Sequence, residues 1–592
     1  MRLVPPITPA EFFHHLQRCI PPGGWRSRIA VANSGGPDST ALLFLLSATI
    51  RKQLGLDEND TPSSESPTSS RFPLHVLSIH VNHGLQAAAS AMEETAVRMS
   101  ERLGAPSIVE AIPWGTPPFP EKPAEGVANR ERLIREARYH RLFAAMDAAR
   151  TNVIAFGHHA DDQVETAIMR MSQGSSNRGL AGMRPVRRWG MGHKDIEYSQ
   201  FGAEGMRSWV VRPFLQIPKG RLLATCEANN LDYVNDPTNF QPGITIRNSV
   251  RHALSTDVSA ENANVSLRDL PSEQLSTSQS GSSQAEPMDV APYVARLRAM
   301  APDSPRHEQL RDAVRRLAIR LEEVETQVTN ILAQARLPSA PSTLLLTVPG
   351  LALATTLEVR TSLIRRCLRY VSYGPWGSTW AEASGDRDTL QRIAEQLWPA
   401  TSPLPSPESG SESGENAPAP KHERRQFTAG SGVTAIPVTI LPWKKDTVRF
   451  RPVEKEKEIE GWIFAREAHY QRQGDEPQSR GIVDVTEEIV QAGRSGKTTC
   501  SVLYDNRFKL TFALQKVAKP VEEEIVMRRA RILIEPDTKW ALPMVTLVGK
   551  RTTQRCIGKY LWHLDGWQGT CKRPVRFQSW ITMNFVRSLD AI

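Results

Sequence analysis

Asn33-Ser-Gly-Gly-Pro-Asp-Ser39 follows a short apolar run, Ile29–Ala32, and precedes a longer one, Thr40–Leu46. The first run reads as a strand and the second as a helix, which makes the seven residues a strand-to-helix turn. Backbone N–H groups in such a turn, together with the positive end of the helix dipole, favour a bound phosphate. Gly35 and Gly36 let the chain bend sharply and approach an anion closely. Ser34 and Ser39 add hydroxyls, Pro37 suits the first helical turn, and Asp38 is placed to position Mg²⁺. The turn is not a Walker A loop, because no Gly-Lys-Ser/Thr ends it.

A second cluster is Gly157-His-His-Ala-Asp-Asp-Gln-Val-Glu-Thr166. Asp162 and Glu165 are three apart, so a helix puts both carboxylates on one face. Two acids on one face suit a cationic substrate group. They also suit a metal pair drawing on His158, or a plain helix start capped by Asp161. The spacing leaves these three readings open. Arg135 and Arg138 fall on a helical stretch, where Arg138 can grip a phosphate with two parallel bonds. His80, at the end of a strand, reads as a packed residue rather than a catalyst. Gly493–Thr498 imitates a phosphate loop but has Gln at 491 and follows a helical stretch, Val485–Ala492, so it reads as a helix end and turn.

The elements that must hold these residues alternate up to about residue 255. Strands are expected at Leu74–Val81, Ser107–Ile112, Val153–Phe156, Val210–Leu215 and Leu231–Val234. Helices are expected at Glu93–Leu103, Glu125–Arg150 and from Asp161. Alternation of this kind predicts an α/β fold with a mainly parallel sheet, whose ligands bind beyond the carboxyl ends of the strands. Both clusters start just past such ends. Beyond this region a stripe from Leu310 to Ile331, spaced by four and three, predicts a long helix packed on a neighbour. Leu363–Tyr370 predicts another helix, carrying Arg365, Arg366 and Arg369. After residue 425, short strands are expected at Val448–Phe450, Thr499–Tyr504, Lys509–Ala513, Arg531–Ile534 and Met544–Val548.

The expected organisation is therefore a catalytic domain over 1–254 with a polar insertion at 57–70, a linker over 255–289 and a helical domain over 290–400. A second linker, 401–425, leads to a small α+β domain over 426–592. The chain has 592 residues and a net charge of +9, a mild basic bias compatible with nucleic acid. None of its six cysteines forms a Cys-x-x-Cys pair, which argues against a zinc ribbon or disulfide framework. No apolar run is long enough to cross a membrane, so no membrane partner is expected. The first 28 residues carry four arginines and one acid, a pattern shared by mitochondrial presequences and by ordinary first helices.

The order of Ser34–Ser39, His80–Leu85, Arg135–Tyr139, His158–Thr166, Gly179–Met183, Arg212–Leu215, Asp236–Asn239, Arg247-Asn248 and Arg251 resembles the tRNA(Ile)-lysidine synthases, a branch of the pyrophosphatase-loop ATPases. The resemblance runs from about residue 28 to 254 and is faint beyond 300. It implies a catalytic domain of the adenine nucleotide α-hydrolase type. It also implies two steps: ATP adenylates the C2 oxygen of the wobble cytidine of an isoleucine tRNA with a CAU anticodon, and free L-lysine then displaces AMP. Under that resemblance Ser34, Gly35, Gly36, Pro37, Asp38 and Ser39 bind ATP, Asp38 holds Mg²⁺, and Arg138 and His158 stabilise phosphate charge. Asp162 and Glu165 bind lysine, with Asp162 taking the amine proton. Arg212, Arg247, Arg251, Arg365, Arg366 and Arg369 contact RNA, joined by basic residues and tryptophans of the tail. The tryptophans read more simply as core residues. A tRNA thiolase of the same loop class and a non-catalytic RNA-binding relative are the rival readings. The Ser/Pro insertions suggest a eukaryotic version acting in the mitochondrial matrix, with the cytoplasm as the alternative. A homodimer is left open.

Overall fold

A computed structural model describes residues 4–55, 72–85, 88–124, 130–189, 201–235, 246–255, 290–399, 424–440, 443–445, 450–452, 458–467, 481–517, 519–527, 529–537, 540–549, 554–560 and 580–591. The insertion at 57–70, the motif Asp236–Asn239 and nearly all of both expected linkers lie outside them. The described chain divides into two compact units. One comprises 1–189 and 207–323 with the last residue; the other comprises 190–206 and 324–591.

The first unit is built on a six-stranded sheet. Its strands are β1 (Arg28–Ala32), β2 (His75–Asn82), β3 (Ser107–Ala111), β4 (Val153–Ala155), β5 (Val186–Arg188) and β6 (Trp209–Val211), in the order β3-β2-β1-β4-β6-β5. The first four and β6 run parallel; β5 pairs antiparallel with β6. From β1 the chain builds outward through β2 and β3, then returns to place β4 on the other side of β1. The order reverses between β1 and β4, and in such sheets the crevice at that point is the ligand site. The loop after β1 is Asn33–Gly36 and the loop after β4 is Gly157–His159, so the fold delivers both chemical clusters to one crevice.

Helix α1 (Pro9–Gln17) starts with Thr8, whose side chain accepts the Glu11 N–H, and it buries Phe12 and Leu16. It is thus part of the domain core, as an ordinary first helix would be. Helix α2 (Pro37–Leu54) is buried nearly all round, because it lies between the sheet and a cover of α1 and helix Lys219–Ala228. That burial on several sides accounts for its unbroken apolar run. Helices α3 (Ala89–Arg102), α4 (Arg130–Ala148) and α5 (Ala160–Ser172) follow where expected.

Two strand expectations change. Leu231–Val234 is not a strand: its only ladder-like bond is Val234 N–H to the Gly35 carbonyl at 2.9 Å, which ties it to the turn instead of the sheet. Strand β5 went unforeseen because it is three residues long and two of them are arginine; Arg188 stacks on the Trp209 ring, centroid distance 4.3 Å.

The long helix forms over Gln309–Ala335. The unit boundary departs from the expected domain edges, because residues 290–323 pack into the first unit. There Val294, Leu297 and Val314 share a core with Val164 and Ile168 of α5. In the second unit the helical and β segments are not separate domains. Leu363 and Leu368 of helix Leu357–Val371 share one core with Val433, Trp462 and Phe464 from strands Val433–Ile440 and Ile459–Arg466. Those two strands were not anticipated. Strands Thr499–Tyr504, Phe508–Ala513, Ala530–Asp537 and Leu542–Gly549 lie where expected. Gly493 is the penultimate residue of helix Thr486–Arg494, and Gly496, just past its C-cap Ser495, turns with φ +68°, as a helix end requires.

Arg366 and Arg369 of the middle helix are interior, which corrects their assignment to RNA, and Arg365 is partly buried. Arg366 is 2 % exposed; its Nε donates to Glu325 Oε2 at 2.8 Å and its Nη1 to Thr329 Oγ1 at 2.8 Å. Arg369 is equally buried and donates to Glu382 Oε1 at 3.0 Å, and Arg365 lies 3.9 Å from the same carboxylate. An RNA phosphate cannot reach a guanidinium already enclosed by its own carboxylate. In the tail, Trp580 is a core residue and Lys559 pairs with Asp537 at 2.7 Å. Lys550, Arg551, Trp562, Trp567, Lys572, Arg573 and Arg576 lie outside the described residues. Removing one partner of a buried ion pair leaves the other charge stranded. Arg366→Ala is therefore expected to cost about 3–5 kcal/mol in chemical unfolding of the second unit; a midpoint indistinguishable from wild type would contradict the buried pairing.

Candidate active site

The turn after β1 is organised by Asn33, which is 2 % exposed. Its Nδ2 donates to Ser78 Oγ at 3.1 Å on β2, and its Oδ1 accepts the Gly35 N–H at 3.0 Å. Ser39 Oγ lies 3.2 Å from that same Oδ1 and accepts the Ser34 N–H at 3.1 Å. Asn33 thus stitches the strand end to the turn and the turn to α2. Its signal was its place at the head of the motif, but a type suited to turns did not mark it as an organiser. Gly35 has φ +74°, and a Cβ there would meet the Met92 carbonyl oxygen at 2.4 Å. No side chain caps α2, whose N-cap is Gly36, and Pro37 has no N–H to offer. The first-turn N–H groups of α2 therefore face the crevice as an anion site.

The loop after β4 packs directly against this turn. A Cβ on Gly157 would sit 2.9 Å from the Asp38 backbone carbonyl, so glycine is required for the two loops to touch. His159, not Asp161, caps α5: its Nδ1 accepts the Asp162 N–H at 3.3 Å while Asp162 Oδ2 accepts the His159 N–H at 3.0 Å. With Nδ1 accepting, the ring proton of the neutral imidazole sits on Nε2. That Nε2 lies 3.4 Å from Asp162 Oδ2 and 3.8 Å from Asp38 Oδ2. One buried ring therefore joins the two acids. His159 was passed over in the sequence because its neighbour His158 has the same type.

Asp161 does different work. Its Oδ2 accepts the Lys219 N–H at 2.8 Å, and its Oδ1 pairs with Arg311 at 2.7 Å. The acidic pair is itself engaged. Arg251 Nε donates to Glu165 Oε1 at 2.6 Å and its Nη2 lies 3.4 Å from Asp162 Oδ1; Arg247 Nε lies 3.3 Å from Glu165 Oε2. The guanidiniums of Arg247 and Arg251, expected to contact RNA, face Glu165 within the site. Arg212 is also interior, 3 % exposed, and donates to the Arg184 carbonyl at 3.0 Å.

Protonation follows from these partners. Burial pushes Asp162 upward, but His159, His158, the His159 N–H and Arg247 outweigh it and hold the carboxyl at about 2. Such an anion binds cations well and accepts protons poorly, which counts against Asp162 as the base. Burial raises Glu165, and Asp162 nearby adds to the rise against the pull of Arg251. Burial likewise raises Asp38, against His159 and Lys219. His158 stacks on Phe156 at 5.6 Å and is pushed well below its ordinary value by burial and then by Arg212, so at neutral pH it acts as an uncharged hydrogen-bonding ring. Arg138, its guanidinium 6.0 Å from the same ring, has an Nε with no hydrogen-bond partner among the described residues. His80 Nδ1 lies 2.9 Å from the Asn33 carbonyl, a packed strand residue as expected.

Most of these groups line one cavity of about 800 Å³, while Asp162 and His158 lie behind its walls. Asp38, Ser34 and Gly36 form one wall, His159, Glu165 and Arg251 another, with Arg138, Lys219 and the segment Tyr233–Asn235 closing the rest. Asp38 Oδ1 is buried without a hydrogen-bond partner. Among the described residues no group of three or more acids, histidines or cysteines can hold a metal alone. One orphaned carboxylate oxygen beside a phosphate cradle fits Mg²⁺, which takes one or two carboxylates and fills its shell with phosphate and water. It does not fit the metal-pair reading.

The parallel sheet, the uncapped turn and the crevice define a PP-loop domain, and residues 11–258 match that domain family. The chain carries this ATP-utilising domain. Curated relatives that match the chain include tRNA(Ile)-lysidine synthases. That of Methylobacterium nodulans is 34% identical over 239 residues, covering 40% of this chain and 55% of that protein. That of Bacillus licheniformis is 31% identical over 236 residues, covering 40% and 41%, and that of Alkalilimnicola ehrlichii 30% over 254, covering 43% and 46%. The chain spans about half the length of the curated relatives it matches. Among solved structures, a U34-tRNA thiolase from Methanococcus maripaludis with a [4Fe-4S] cluster aligns at 16% identity and TM-score 0.30, over 42% of this chain and 74% of that one.

Gly35→Ala should lower stability by about 2 kcal/mol or more, since it combines left-handed strain with a backbone collision. Gly55→Ala, with φ +64° but open space around it, should cost only about 1 kcal/mol; equal losses in paired thermal melts would contradict the collision. The depressed Asp162 carboxyl contributes stability that is fully present above its unfolded value of 3.8 and lost as pH falls through about 2. Acid unfolding of Asp162→Asn should therefore lack the part of the decline that wild type shows in that window.

Proposed function

We propose that this protein is an ATP-dependent tRNA-modifying ligase that makes lysidine in an isoleucine tRNA. The carrying observation is one cavity lined by Asp38, His159 and Glu165, in which His159 lies 3.8 Å from Asp38 and 3.4 Å from the buried Asp162 behind the wall. One end suits a triphosphate and the other an ammonium, and the relatives at 30–34% identity bear the name of that activity.

In this reading the turn Ser34–Ser39 holds the β- and γ-phosphates of ATP. Mg²⁺, when bound on Asp38, supplies charge neutralisation for the leaving pyrophosphate. Arg138 donates to the phosphate on which charge develops, a role worth about 2.7–4 kcal/mol for a well-placed donor. The C2 oxygen of the wobble cytidine attacks the α-phosphorus and pyrophosphate leaves. The ε-amine of free L-lysine then attacks C2, and AMP departs with the oxygen. That amine must first lose a proton, since its ordinary value is about 10.4. Asp162, held at about 2, serves to bind the ammonium. Glu165, raised by burial, is the better proton acceptor. Lysine competes with Arg251 and Arg247 for these carboxylates, so its entry requires the arginines to move aside. The CAU anticodon belongs to the same proposal, as does the mitochondrial matrix as the compartment; a cytosolic distribution of the tagged full-length chain would remove the latter.

Incubation with ATP, radiolabelled lysine and tRNA(Ile) of CAU anticodon should put label into RNA only when ATP is present. Glu165→Gln should cut labelling by about 100-fold or more while ATP still binds. Sulfur incorporation in place of lysine would favour the thiolase reading, and neither product would favour the binding relative.

A further inference from the structure

Lys219 opens helix Lys219–Ala228, and neither motif contains it. Its backbone is pinned: Pro218 precedes the helix in an extended conformation, and the Lys219 N–H donates to Asp161 Oδ2 at 2.8 Å. Asp161 is braced from the other side by Arg311, through Nε at 2.8 Å and Nη2 at 2.7 Å. The side chain leaves this anchored point for the cavity wall and places Nζ 3.8 Å from Asp38 Oδ2. Its side chain is 45 % exposed and lines the cavity, so its ammonium can make further bonds there. Asp38 Oδ1, the other oxygen, is buried and without a hydrogen-bond partner.

We infer that Lys219 is a phosphate-binding residue of this cavity, a mobile point charge set opposite the turn Ser34–Ser39 that grips the polyphosphate of a bound nucleotide. The loop supplies backbone N–H groups but, unlike a Walker A turn, no lysine of its own. Lys219 supplies that missing cation from a separate helix. An ammonium has three donors and a flexible four-carbon stem, so it can hold Asp38 and a phosphate oxygen together. Resting on Oδ2, it leaves the partnerless Oδ1 of Asp38 free, so Asp38 would still be available to hold Mg²⁺ were it bound. The contact belongs to the polyphosphate and not to adenosine, because Asp38 sits in the first turn of α2 where the phosphates dock.

The inference rests on the reading that this cavity takes ATP, and the experiment separates the two. Equilibrium binding of ATP and of AMP is measured on the full chain as wild type, Lys219→Met and Lys219→Arg, with Mg²⁺ and with EDTA. Lys219→Met should weaken ATP by about tenfold or more, the loss of one charge-assisted contact, in both conditions, and AMP by less than about twofold. Lys219→Arg, which keeps the charge, should recover most of the difference. Equal weakening of ATP and AMP, or no weakening, overturns the inference; wild type that binds neither nucleotide overturns the underlying reading.

Discussion

The site depends on a backbone approach: the loop after β4 touches the turn after β1 at Gly157 and Asp38, with no room for a Cβ between them. This contact sets the Asp38 carboxylate beside the cap of α5. From it follow the two short distances at His159, the shared cavity and the unequal titration of three carboxylates. Burial alone would raise all three. Only Asp162 has a capping N–H together with His159, His158 and Arg247 close enough to reverse that rise, while Asp38 and Glu165 stay elevated. Groups driven apart in this way divide the work of binding a cation and moving a proton.

Around this centre the protein spends arginines in two manners. Arg251 and Arg247 lie on the acidic pair, and Arg311 braces Asp161. In the second unit Arg366 and Arg369 knit a helix to its own acids. Buried pairs of this kind add little net stability but punish any partner's loss, so they fix geometry more than they hold the fold together. Arginines such as Arg212, Arg366 and Arg369 are consumed internally, so the basic composition of the chain alone is no map of an RNA surface.

Much of the first unit was legible beforehand. The alternation of apolar runs and helical patterns placed β1 to β4 and α2 to α5 within a few residues, and the glycine-rich turn after β1 was readable from residue types alone. What failed did so for physical reasons. Leu231–Val234 has strand composition, yet one hydrogen bond to Gly35 claims it for the turn. Strands Val433–Ile440 and Ile459–Arg466 pair with each other, and the second is completed by Leu344–Thr347, which lies more than a hundred positions earlier, so neither stood out locally. The role of His159 was invisible because two adjacent histidines differ only in which way the loop turns them.

By itself, then, the amino-acid order determined the local chemistry: a phosphate-cradling turn, a helix with two acids on one face, and a parallel sheet to carry both. Periodicity and turn preference are properties of neighbouring residues, and neighbours suffice for them. The tertiary structure decided which charges meet. That Arg251 lies on Glu165, that His159 bridges Asp38 to Asp162, and that Lys219 reaches the phosphate turn all depend on segments tens to hundreds of residues apart. Such pairings arise only when the sheet order brings β4 beside β1, and no local pattern encodes that adjacency.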